Sequence, residues 1–172
     1  MNAVIERPLE LEDAVARLTP EVIRAARARA AHEQQSVCTV LQHELALSPE
    51  LLLQALGQRM HHEVLGSAAL SLLAPAFDLI GYADAARRGC MACREGGDVI
   101  AVISDPFDHG LQDWCVEQLA VPHEIRLAAA DDIAALLSRH EESMRAIDTA
   151  MPAREGAQTR TGDLEDLSIR SI

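Results

Sequence analysis

Cys90-Met-Ala-Cys93 is the first place where this chain could do chemistry, because two thiols three residues apart can hold half of a tetrahedral zinc site. The other half is missing: no second Cys pair follows, and residues i and i+3 of a strand point to opposite faces. The pair therefore reads as two buried thiols. His61-His62-Glu63 could supply one metal ligand, but adjacent residues on a helix diverge, and a polar helix end explains them. Asp105 has the form of a catalytic acid, yet capping of the following helix accounts for it, and Asp131 and Asp132 read as a cap on the same grounds. Trp114, the single indole, lies at helical spacing from Leu111 and reads as core, with a partner-facing anchor as the alternative. Arg24 and Arg27 point away from the apolar face of their helix. With Trp114 they are the candidate partner-binding residues. No Ser/His/Asp or Cys/His arrangement can be assembled, so no catalytic, cofactor-binding or metal-ligating residue is expected.

The basic side chains narrow the chemistry further. All 15 are arginine, and there is no lysine anywhere in the 172 residues. A phosphate-cradling P-loop needs its lysine, so this chain is not expected to hydrolyse ATP by that route. A GC-rich genome explains arginine-only usage without invoking function. The net charge of −12 argues against nucleic acid or an anionic membrane surface as partner. No apolar run approaches the roughly 18–20 residues needed to span a bilayer, and the N-terminus lacks the pattern of a signal peptide. A cytoplasmic chain is expected, with Cys38, Cys90, Cys93 and Cys115 as reduced thiols in small apolar sites.

The elements that must position these residues follow from periodicity and turn chemistry. Leu9, Leu11, Val15 and Leu18 make a short amphipathic start. Thr19-Pro20-Glu21 opens a helix to about Gln34, Ser36 to Leu45 forms a second, and Ser48-Pro49-Glu50 opens a third whose Leu52, Leu53, Leu56, Met60 and Val64 keep helical spacing. Residues 66–88 join two parts: too apolar for a loose linker, interrupted by Gly66, Pro75 and Gly81, with a short helix around Tyr82 to Arg88. Val99 to Ile103 is too short for a helix and suits a strand covered on both faces. Glu95-Gly96-Gly97 turns the chain before it, which makes Cys90 to Arg94 its hairpin partner. Ser104-Asp105-Pro106 starts a helix carrying Leu111, Trp114, Cys115 and Leu119. Pro122 to Leu127 alternates as a strand with one wet face, and a last helix carries Ile133, Leu136, Leu137 and His140. The expected fold is α+β: a bundle of short helices (1–65), the joining region (66–88), and a small three-stranded sheet packed with helices (89–147). Residues 148–172 read as a flexible linker towards a missing downstream domain.

The block Gly89 to His140 resembles the N-terminal domain of the type II secretion and type IV pilus assembly ATPases. It carries the strand ending in Asp-Pro (Val99 to Pro106), the helix Leu111 to Leu119, the strand Glu124 to Leu127 and the acid-started helix Ala130 to Leu137. The family segment Arg-Leu-Gly-x-x-Leu-x-x-x-Gly-x-Ile aligns without gaps on Ser36 to Leu47, followed by the Leu-rich Ser48 to Arg59. The tail Asp163 to Ile169 looks like the acidic linker before the ATPase core. Some relatives bind cyclic di-GMP through the helical segment, using its arginine and the backbone its glycines expose. Here those positions are Ser36, Cys38 and Leu45, which removes a bidentate phosphate contact and puts side chains where the nucleotide needs bare backbone.

What the resemblance implies is a non-catalytic regulatory and docking domain. Such a domain binds the cytoplasmic domain of an inner-membrane platform protein, recruits the motor, and continues into the ATPase domain of the same parent chain. It would sit in the cytoplasm, peripheral at the inner membrane through that partner, with no direct insertion and no nucleic acid, and would oligomerise through the parent ATPase. The alternative is a cyclic di-GMP sensing domain, fused to a glycosyltransferase in some similar proteins. No cofactor is expected for the docking domain.

Overall fold

Four helices open the chain for the reasons their sequences announce. The computed structural model describes the backbone of residues 6–150 and the side chains of residues 10–146. In it α1 (Glu6–Arg17), α2 (Pro20–Glu33), α3 (Val37–Leu45) and α4 (Pro49–Met60) follow one another. The hydroxyls of Thr19, Ser36 and Ser48 accept the N–H groups of Val22, Thr39 and Leu51, each satisfying a donor that the first turn leaves free. Leu18, Leu41, Leu56, Ala26 and Ala55 form the buried centre of this bundle.

The end of α4 departs from the periodic reading. Val64 keeps helical spacing with Leu56 and Met60, yet it begins strand β1 (Val64–Leu65). His61 adopts a left-handed conformation (φ 58°) and the His62 N–H returns to the Gly57 carbonyl at 2.9 Å, which closes the helix at Met60.

The joining region contributes more to the sheet than its composition suggests. After β1 come α5 (Ser67–Leu70), β2 (Ala74–Pro75) and α6 (Tyr82–Arg88), then β3 (Cys90–Glu95), β4 (Asp98–Ile103), α7 (His109–Leu119), β5 (His123–Ala128) and α8 (Ala130–Ala150). The sheet has five strands in the order β1-β5-β4-β3-β2, where three were expected. The three expected strands form its centre: β3 and β4 as an antiparallel hairpin, β5 parallel to β4. The two extra strands are edge pieces of two residues each, too short to show a period of two. Leu127 N–H donates to the Glu63 carbonyl and Ala76 N–H to the Ala92 carbonyl, both at 2.8 Å. Pro75 is tolerated because it lies on an edge. Gly96 and Gly97 turn the hairpin at φ 60° and 118°, where L side chains are strained.

Registers Met91↔Val102↔Arg126 place these residues on one face, and Cys90↔Ile103↔Leu127 occupy the other. Both faces are covered, so β3 and β4 read as continuous apolar runs. Two helix starts differ from expectation. Asp108, not Ser104 or Asp105, caps α7 by accepting the Leu111 N–H at 2.9 Å. Asp131 and Asp132 lie inside the first turn of α8, where they meet the positive end of the helix dipole without capping it.

The described residues up to Arg139 form one compact unit, and those from His140 on belong to a second. Within the latter α8 continues helical to Ala150, with Arg145 paired to Glu141 one turn earlier. The expected linker beyond Asp148 and the apolar tail Leu164 to Ile172 fall almost wholly outside the described residues.

Candidate functional site

The three residues singled out for partner binding stand on two helices, Arg24 and Arg27 on α2 and Trp114 on α7. Arg24 is exposed on α2. Arg27, also on α2, holds its guanidinium carbon 5.2 Å from the centre of the Phe107 ring, so it ties the helical bundle to the turn after β4. Trp114 is half-buried on α7 against the sheet core, and Arg88 of α6 lies over its ring at 4.1 Å. One face of the indole is thus already covered.

The start of α3 decides whether a nucleotide could dock there. Ser36 caps the helix and its hydroxyl lies 2.8 Å from that of Thr39. Cys38 donates its thiol to the carboxylate of Asp105 at 3.4 Å, and the same oxygen accepts the Phe107 N–H at 2.8 Å. Burial first, and the Asp105 charge second, push the Cys38 thiol well above the usual thiol range, so it stays neutral. Leu45 is buried in the bundle core, and its carbonyl accepts from Arg17 at 2.6 Å. Each of the three positions is engaged internally. Asp105 holds a turn and a thiol, which gives it a structural role.

The remaining residues that could do chemistry are also accounted for. Cys90 and Cys93 are buried on opposite faces of β3, and Cys90 lies against Cys115 of α7. Contact with Cys115 and burial push the Cys90 thiol up, and burial pushes Cys93 up to about 11. His61 closes α4, while the His62 ring lies 3.2 Å from the Ile125 carbonyl of β5. Among the described residues no three His, Cys, Asp or Glu side chains come together as a metal site.

A cleft that sequence reasoning missed opens on the Arg126 face of the sheet. Its volume is about 330 Å³, at the lower end of the range of small binding pockets. Leu65, Ala69, Leu72 and Leu73 line it on the side of β1 and α5, and Glu63, Glu95 and Gly96 line the other. Arg126 lies at its base with only 11% of the side chain exposed, 2.8 Å from Glu95, 2.9 Å from Glu63 and 3.4 Å from Glu124. Its Nε is out of line for a hydrogen bond with Glu63 despite the short distance. Hydrogen bonding to Glu95 leads the effects that hold this guanidinium charged against the cost of burial. The alternation Glu124-Ile-Arg-Leu127 marked a wet strand face, and that reading hid the arginine's role. Two of its partners, Glu63 and Glu95, come from separate stretches, and no local spacing joins them to it.

The family model of the MshEN domain matches residues 63–147. No curated protein matches the chain. Among solved structures, one of MshE with cdg (cyclic di-GMP) shares the fold at a TM-score of 0.56 and 21% identity, over 75% of this chain and 96% of that one.

Proposed function

Because residues 63–147 belong to the MshEN domain family, the regulatory N-terminal domain of type II secretion and type IV pilus ATPases, we propose that this chain is a docking domain. It recruits a secretion or pilus motor by binding the cytoplasmic domain of an inner-membrane platform protein. No helix of the described residues is long and apolar enough to cross a membrane, so the proposed placement is peripheral, through that partner. The observation that carries the choice of docking over ligand sensing is the internal engagement of Ser36, Cys38 and Leu45. A phosphate would meet a hydroxyl and a neutral thiol where a guanidinium would have given two charge-assisted hydrogen bonds. The net charge of −12 favours a basic complementary patch on the partner and a salt-sensitive association rate.

The test is capture of the platform protein's cytoplasmic domain by the immobilised chain. Retention at about micromolar concentration is expected, and no retention there contradicts the proposal.

A second reading is kept because a structure of MshE with cdg shares the fold: this domain too would sense cyclic di-GMP. Titration calorimetry with that nucleotide separates the two. Submicromolar binding would reverse the ranking, and the absence of heat supports docking.

A further inference from the structure

We infer that the cleft between α5 and the Arg126 face of the sheet receives a short basic segment of the partner, anchored by an apolar side chain. The inference rests on the docking reading and adds a site and a partner chemistry to it. Two features of the cleft select that occupant.

The first is charge. Glu63 and Glu95 of the cleft wall, with Glu124 just outside it, surround the single guanidinium of Arg126, which leaves two negative charges in excess around that side chain. Arg94, the other cation lining the cleft, is matched by a two-pronged pair with Asp78 at 2.6 and 2.7 Å. The carboxylates are 53–59% exposed, whereas Arg126 is nearly enclosed, so an incoming group meets acid first. An anionic ligand would have to displace three carboxylates to reach the arginine. A cation needs only to approach them.

The second is apolar surface. Leu72 is 86% exposed, the largest exposure among the exposed large hydrophobic residues described, and it stands at the cleft beside Leu73, Ala69 and Leu65. One exposed leucine means little by itself. Over a cleft of about 330 Å³ with acidic sides it forms a ledge on which an aliphatic side chain can rest while its basic neighbours reach the carboxylates.

The probe is a fluorescent ten-residue peptide of alternating arginine and leucine, titrated by anisotropy into the 172-residue chain, with an acidic peptide of alternating glutamate and leucine as control. Backbone amide shifts should change in residues 63–73, 94–96 and 124–126. Leu72→Glu is the deciding variant. It adds negative charge, so attraction of a cationic peptide to an acidic surface in general would strengthen, whereas seating in the cleft should weaken about tenfold. Glu95→Gln should weaken binding about threefold and reduce its salt dependence. Circular dichroism checks that Leu72→Glu stays folded, as its exposure leads one to expect.

Equal or tighter binding by Leu72→Glu, shifts centred elsewhere, or equal binding of the acidic peptide would overturn the inference. So would capture of the platform domain that Leu72→Glu leaves unchanged, although the docking reading would then stand. Peptide seating in the cleft without any capture of the platform domain supports the site and removes the docking reading.

Discussion

At the scale of single residues, the chain keeps the thiols of Cys90 and Cys93 neutral and buried. Cys93 shows the consequence for stability. Burial holds its folded-state value at about 11, above the ordinary thiol value of 9.0. Below pH 9 the thiol is protonated in folded and unfolded chains alike, and the fold bears no penalty. Between about 9 and 11 the unfolded chain releases the proton while the folded one retains it, so stability is lost as pH rises through that window. The loss attributable to Cys93 is up to about 3 kcal/mol. Urea unfolding at pH 8 and pH 10.5 measures it, and Cys93→Ala should show the shallower decline. Equal declines would mean that the thiol ionises in place. Cys90 and Cys93 were readable as buried thiols in the sequence because strand alternation forbids a Cys-x-x-Cys pair from converging. Arg126 was not readable, since the value of its position depends on Glu63 and Glu95, which arrive from elsewhere in the chain.

At the scale of elements, helix starts were legible wherever a Ser or Thr stood before Pro or an apolar run, as at Thr19, Ser36 and Ser48. They were misplaced where several acids competed. Asp105 and Asp108 both lie ahead of α7, and only the latter reaches a free N–H of its first turn. Asp108→Ala should therefore cost about 1 kcal/mol, the usual worth of an N-cap, whereas Asp131→Ala should cost about 0.5 kcal/mol or less. Thermal or urea unfolding of the two variants compares them directly, and equal losses would contradict the assignment. The end of α4 was hidden for a different reason. No glycine or proline marks it, and a histidine in the left-handed region closes the helix, a conformation the side-chain pattern does not disclose. The edge strands β1 and β2 were hidden by length, because two residues cannot display a period.

At the scale of the whole molecule, the unit up to Arg139 contains two cores joined by few but close contacts. Arg27 lies over Phe107, Cys38 meets Asp105, and Gly57 of α4 lies against the start of β1. The last contact is the tightest: a Cβ at residue 57 would stand 2.3 Å from a Val64 methyl and 2.9 Å from the His62 carbonyl. Alanine is the better helix former by about 1 kcal/mol, but the clash at the junction outweighs it, so Gly57→Ala should destabilise by about 1–3 kcal/mol. Urea unfolding checks the sign, and a stabilised variant would show that the helices can shift on the sheet without cost. The α+β class and the central hairpin-helix-strand-helix order were legible because each element carries its own period and cap. The way the helical bundle meets the sheet was not, since it depends on single contacts between residues far apart in sequence.

Most direct for the central claim is a calorimetric titration of the platform protein's cytoplasmic domain into this chain, with and without saturating cyclic di-GMP. Saturable binding at about micromolar Kd or tighter, unchanged by the nucleotide, is the expected result. No binding, or binding only when the nucleotide is present, would contradict the claim that this domain works by docking through its own surface.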